Sequence, residues 1–443
     1  MVRSKSIFIN LQGKHIWFLF SFLFLCFSAS AISVIDNMQI ATSDRKLIIA
    51  SKSTVEASSD GFIKQSISNQ TQVSITLADH IFSKTSPRSN VVFSPLSIQT
   101  VLGLVASGSD GETLNQLLSF LKVNTFDELN ALSSRLVSSI MADGSSSGGP
   151  RLSFVSGVWA DQTISLKDSF KHVLETVYKA ASKRVDFVNK TEEVLKEVNL
   201  WAREKTDGLI KEILRPGILA NETVIMLANA LYFKGVWKEK FDRLLTRKTD
   251  FHLLDGRKVQ VPFMTTMKKQ LVGEYDGFKV MGLPYVHGED KRRFSMYIYL
   301  PDEKDGLPSL IRKISSEADF LESHIPHKKV QVGEVLIPKF KISSEFGVSD
   351  MLKELGVELP FKGGAITEME EDENVHVANI QHQSVVEVDE EGSEAAATTL
   401  TLLKNALRTT VDFVADHPFL FTIREDTSGA VLFMGQVIDP SVS

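Results

Sequence analysis

Val388-Asp389-Glu390-Glu391-Gly392-Ser393-Glu394-Ala395-Ala396-Ala397-Thr398-Thr399-Leu400-Thr401-Leu402-Leu403 is the stretch that does not read as a core element. From Ala395 to Leu403 it has no proline, no charge and no bulky aromatic residue. Alternation along a strand would set Ser393, Ala395, Ala397, Thr399 and Thr401 on one face, all small enough to slide over a core. Glu394 and Ala396 would face the other way, where a charge can stay wet. Small and β-branched side chains of this kind suit a segment that enters a sheet between two existing strands. A helix, which alanine favours, and a plain loop stay open as alternatives on these residues alone. Lys404-Asn405-Ala406-Leu407-Arg408-Thr409-Thr410 follows and reads as exposed.

Strand-like runs surround this stretch at 224–233, 294–300, 329–342, 375–388, 419–424 and 430–437. Helical periodicity marks 73–82, 113–121, 170–181 and 192–204. Ser94-Pro95 opens a further helix, because serine caps and proline is welcome in the first turn. Helices dominate the first third and strands the remainder, which predicts an α+β fold with large sheets.

The 443 residues, 43% hydrophobic and 23% charged, have ordinary globular composition, which excludes a disordered, collagenous or multi-span membrane protein. Lys and Arg number 49 against 55 Asp and Glu, so no broad field favours nucleic acid. Residues 1–31 carry Arg3, Lys5 and Lys14, a short apolar stretch from Ile16 to Phe27, and Ala29-Ser30-Ala31. That order reads as a secretory signal peptide. The apolar stretch is too short for a membrane span of about 20 residues. Cleavage would leave a chain with no membrane contact and, since Cys26 is the one cysteine, no thiol. Residues 32–61 read as a linker or propeptide, and a single domain is expected over 62–443. In a secreted chain the sequons at Asn69, Asn189 and Asn221 are candidate glycan acceptors.

Several motifs carry no chemistry in their context. Gly144-Ser145-Ser146-Ser147-Gly148 matches a hydrolase elbow, yet it runs into Gly149-Pro150 instead of joining a strand to a helix. His324 and His327 flank Pro326, which spoils the helical spacing a metal pair needs. Neither a metal nor a cofactor is expected. The acidic run 368–373 and Lys291-Arg292-Arg293 read as solvated charge.

Asn90-Val91-Val92-Phe93-Ser94-Pro95-Leu96-Ser97-Ile98 and Asn229-Ala230-Leu231-Tyr232-Phe233-Lys234-Gly235-Val236-Trp237 resemble signatures of the serpin family, in its plant branch. Phe263-Met264, Leu283-Pro284-Tyr285, Ile337-Pro338-Lys339-Phe340, the stretch from Glu390 to Ala397, and Asp416-His417-Pro418-Phe419 follow in the family's order. The resemblance spans about Ser66 to Pro440. It implies one domain of three β-sheets and about nine helices with an exposed reactive-centre loop at about 390–413. It implies no enzyme, but a metastable monomer that is cut by a serine or papain-like cysteine protease. The cut chain then traps the acyl-enzyme by inserting its hinge, Glu390 to Thr399, into the main sheet. Ser94, Ser97, Asn229 and His382 resemble the polar shutter beneath that sheet. Trp237 matches the top of the sheet, and Lys339 with Glu390 an ion pair at the entry. A non-inhibitory binding or carrier protein is the alternative, although the small residues of the hinge favour inhibition.

Family spacing from Gly392 puts the scissile bond at Ala406–Leu407. Arg408–Thr409 is the second candidate, because Leu407-Arg408 matches the pair many plant members carry. A cut after Lys404 would shorten the inserted strand. Alanine suits a small elastase-like pocket and arginine an acid-based one, so pocket chemistry does not choose between them.

Overall fold

In the computed structural model, which describes residues 64–86, 88–370, 375–391 and 410–442, the run Ile225–Lys234 is buried at every position except the last. A strand covered on both faces favours apolar residues, and the buried part of this one is interrupted by the amide of Asn229.

The described helices are α1 (64–84), α2 (Pro95–Ser107), α3 (Gly111–Leu121), α4 (Phe126–Arg135), α5 (Asp168–Thr176), α6 (Thr191–Lys205), α7 (Leu307–Ser316), α8 (Phe320–Ser323) and α9 (Val348–Glu354). The first eight strands are β1 (Val91–Phe93), β2 (Arg151–Asp161), β3 (Ala181–Val185), β4 (Ile225–Lys234), β5 (Arg247–His252), β6 (Lys258–Met264), β7 (Gln270–Tyr275) and β8 (Phe278–Pro284). The rest are β9 (Phe294–Pro301), β10 (Lys329–Val330), β11 (Val332–Pro338), β12 (Phe340–Gly347), β13 (Asn379–Val388), β14 (Val411–Val414), β15 (Phe419–Glu425) and β16 (Val431–Val437).

They build three sheets, of order β12-β13-β4-β2-β3, β14-β11-β6-β5 and β1-β16-β15-β9-β8-β7-β10. This is the expected α+β fold. In the five-stranded sheet β13 and β4 run parallel, while β12 is antiparallel to β13 and β2 antiparallel to β4. Period-two alternation gives each strand two buried faces. Ile225, Leu227 and Ile380 join a core with the almost wholly buried α2. Met226, Ala228, Ala230, Tyr232 and Val385 join another with Val198 and Ala202 of α6 and with Ile213 and Leu214 of the segment that follows it.

The structure corrects several local expectations. The helix expected over 170–181 stops at Thr176, because Lys179 takes a left-handed φ of 51° and Ala181 already begins β3. The run 329–342 is not one strand but parts of β10, β11 and β12, which belong to three different sheets. β2 lies in the stretch expected to be mainly helical. Arg292 is not solvated: its Nη1 donates to the carbonyls of Ser139, Ile140 and Ala142 at 2.7–2.9 Å, stapling two distant loops. Within the acidic run, Met369 and Glu370 are buried, and the Ser165 N–H donates to Glu370 Oε1 at 3.4 Å. Ser146 sits in an exposed 3-10 turn, and His324 packs against Phe320 and Tyr275.

Candidate functional site

The seam between β4 and β13 begins as a backbone fact. Asn379 to Val386 pair in parallel with Met226 to Phe233, and this register sets His382 opposite Asn229. Both side chains fall on the α2 face, where neither meets water. Polar groups buried there must satisfy one another.

They do so through the entry to α2. Ser94 caps that helix, its Oγ accepting from the Ser97 N–H at 3.2 Å. The Ser94 N–H donates to His382 Nε2 at 3.1 Å. Nε2 is therefore the unprotonated nitrogen, and Nδ1, 3.1 Å from Asn229 Oδ1, carries the proton and donates. Asn229 Nδ2 donates onward to the Ser97 carbonyl and Oγ, both at 2.6 Å. The Ser384 hydroxyl, 2.9 Å away, also donates to Nε2. Burial pushes the His382 pKa down to about 3, so the ring is neutral. The four shutter candidates thus form one network under the seam. Ser384 belongs to it as well, and period two from His382 is the signal that could have found it.

At the upper end the seam is bolted. Trp237, just past β4, donates its indole N–H to the Asp389 carbonyl at 2.7 Å and its backbone N–H to the Glu391 carbonyl at 3.1 Å. The Phe241 N–H donates to the Glu390 carbonyl at 3.0 Å. The Trp237 ring stacks on Tyr285 with centroids 4.4 Å apart. Lys339 Nζ donates to Glu390 Oε2 at 2.7 Å, and the Thr246 hydroxyl donates to Oε1 at 2.7 Å. Burial works to raise the Glu390 pKa, but the hydrogen bonds from Lys339 and Thr246 outweigh it and hold the carboxyl below its ordinary value. Glu391 pairs with Arg243. Thr246 and Arg243 come from a loop with no sequence signal, brought in only by the fold.

Gly392, Ser393, Glu394, Ala395, Ala396, Ala397, Thr398 and Thr399 of the hinge lie outside the described residues, as do Ala406, Leu407, Arg408 and Thr409. The two ends of that segment are described. The described chain leaves the five-stranded sheet before Glu391 and resumes at Thr410, just before β14 of the four-stranded sheet, which pairs in parallel with β11. The leader 1–31 and the stretch 32–61 are also outside. Asn189 and Asn221 are exposed in turns, with Thr191 Oγ1 only 3.3 Å from Asn221 Oδ1. Asn69 lies on α1, its amide donating to the Lys122 carbonyl at 2.8 Å.

A family model described as Serpin (serine protease inhibitor) matches residues 68–440. Serpin-ZX of Arabidopsis thaliana is 52% identical over 389 residues, covering 85% of this chain and 99% of its own. Serpin-ZXA of Oryza sativa subsp. japonica is 49% identical over 388 residues, with 85% and 98% covered. Among solved structures, Arabidopsis AtSerpin1 in its native stressed conformation superposes with a TM-score of 0.81 at 51% identity, covering 86% of this chain and 99% of that one.

Proposed function

This chain belongs to the serpin family, which are protease inhibitors and not enzymes, and on that premise we propose a secreted suicide-substrate inhibitor of serine or papain-like cysteine endopeptidases. The observation that carries this reading is the parallel β4–β13 seam, beside whose upper end the chain leaves β13 toward the hinge. A strand that turns back after Glu391 runs antiparallel to β13. Because β4 is parallel to β13, the same strand is antiparallel to β4 too. Insertion exchanges one parallel ladder for two antiparallel ones, and antiparallel pairing is the more stable per residue.

In the intact chain that gain is withheld. The inserting segment is tied at its far end to β14, so it reaches the seam only after cleavage. A target protease attacks the loop and forms an acyl-enzyme. The freed hinge then enters between β4 and β13. About fifteen residues at roughly 3.3 Å each carry the protease on the order of 50 Å. Its catalytic groups, which need near hydrogen-bond geometry, are pulled apart before water hydrolyses the ester.

The test is incubation of the purified protein with trypsin-like, elastase-like and papain-like proteases. An SDS-resistant adduct is expected with at least one class. Cleavage of the loop without any adduct would instead establish the non-inhibitory alternative. Secretion rests on the leader at 1–31, and the N-terminal sequence of protein recovered from culture medium tests it.

A further inference from the structure

A cleft of about 300 Å³ opens between α6 and the β2–β3 edge of the five-stranded sheet. That volume is at the lower end of the range for small-molecule sites. Its back wall is a pair of indoles: Trp159 of β2 meets Trp201 of α6 edge to face, with centroids 4.8 Å apart at 81°. Gly157 permits this packing, because a Cβ there would stand 2.6 Å from the Trp159 ring and 3.3 Å from that of Trp201. Trp159 is buried, whereas Trp201 is half-buried and lines the opening. The Trp201 indole nitrogen is itself buried, so the surface this ring shows is carbon. Rings set nearly at right angles cannot cover both of each other's faces.

Charge is spread unevenly around this wall. Gly157 pairs with Ala181 and Trp159 with Lys183, so the small Ala181 and the long Lys183 both turn toward α6. Glu197, Leu200, Trp201 and Glu204 fall at i, i+3, i+4 and i+7 along α6 and close the other side. Lys183, the cation among the lining residues, is held by Glu197 at 2.7 Å. Glu204 is exposed, and its carboxylate has no partner among the described residues, so the lining keeps a surplus negative charge. No lysine or arginine among the described residues lies over either indole; the cation–π contacts there are to Phe294, Phe278 and Phe361. Aromatic carbon beside an uncompensated carboxylate attracts a cation. A primary ammonium would turn N–H donors toward ring carbon that cannot accept them, whereas a quaternary ammonium has none to satisfy.

We propose that this cleft binds a small quaternary ammonium ion. Its N-methyl groups rest against Trp201, with Trp159 fixing that ring from behind, and Glu204 stands at the mouth as the counter-charge. Leu200, 53% exposed, forms an apolar lip beside the methyl groups.

The test titrates the full chain with choline, read by saturation transfer to its N-methyl protons. The comparison is 3,3-dimethylbutan-1-ol, which keeps the shape and replaces the charged nitrogen with carbon. Saturable binding is expected, with choline about tenfold tighter than the alcohol. Glu204→Gln, on an exposed helix surface, should weaken choline about threefold and leave the alcohol unchanged. Trp201→Leu keeps apolar bulk without the π face and should bring choline down to the level of the alcohol. If Trp201→Leu does not fold, Glu204→Gln carries the test alone. The same group occurs on soluble ions and on lipid headgroups. Pelleting with phosphatidylcholine vesicles would support the headgroup as the source, and choline binding without pelleting would support a soluble ion. Absence of saturable choline binding, equal binding of the alcohol by the wild type, or wild-type choline affinity in a folded variant would each overturn the assignment.

Discussion

His382 Nδ1 donates to Asn229 Oδ1 at 3.1 Å, and the two residues are direct register partners across the parallel seam of the five-stranded sheet. The contact is a bond across the very gap that a third strand would have to open. Any such strand must break it, and the partners freed must find others. Asn229→Ala removes the bond and leaves the Ser97 acceptors and His382 Nδ1 unsatisfied. The intact protein should lose about 2–3 kcal/mol. Denaturant melts of intact and loop-cleaved protein check this, the intact form losing more.

Acid should loosen the same seam. His382 has a pKa of about 3 when folded, pushed down by burial, against an ordinary value of about 6.5. Between those values the unfolded chain holds the extra proton, so stability falls as pH falls and the contribution is intact only above about 6.5. The slope from this one group is up to about 1.4 kcal/mol per pH unit. Melts between pH 7 and pH 5, above most carboxylate titration, should show the decline. His382→Gln should flatten it.

Lys339 is half-exposed whereas Glu390 is almost wholly buried, so the two ends of their ion pair are unequal. Lys339→Ala leaves a buried carboxylate with Thr246 as its remaining side-chain donor and should destabilise the intact state by about 1–3 kcal/mol. Lys339→Ala/Glu390→Gln should recover part of the loss. A double-mutant cycle on the intact protein measures the coupling, and additive losses would refute it.

Thr399→Arg puts a long charged side chain on the face of the hinge that must slide over the core. Proteolysis of the loop should continue while the SDS-resistant adduct falls at least tenfold, because a buried unpaired charge costs several kcal/mol. Gel densitometry at equal extents of cleavage gives the ratio.

Mass spectrometry of the peptide released on cleavage distinguishes Ala406–Leu407 from Arg408–Thr409. The nicked protein should melt well above the intact one in calorimetry. Equal melting temperatures would contradict insertion into the seam.

Some of this was legible along the chain. Ser94-Pro95 announced α2, and the run 224–233 announced a strand, because capping and strand patterning are local. Long-range partners were not. The run 329–342 has one uniform β-pattern yet feeds three sheets, and nothing in its residues encodes which neighbours each part meets. Arg292 carried the signature of a solvated charge, and its staple exists only because the carbonyls of 139–142 are folded against it.

By itself the sequence determined a mixed fold and the run of small residues from Ala395 to Thr399, and the resemblance singled out Asn229 and His382. Only the tertiary structure decided that those two residues meet, that Trp237 and Lys339 grip the chain at Asp389–Glu391, and that β4 and β13 run parallel. Side-chain size and alternation are properties of neighbouring residues. Strand direction and pairing depend on contacts between segments some 150 positions apart, which form only when the whole core closes.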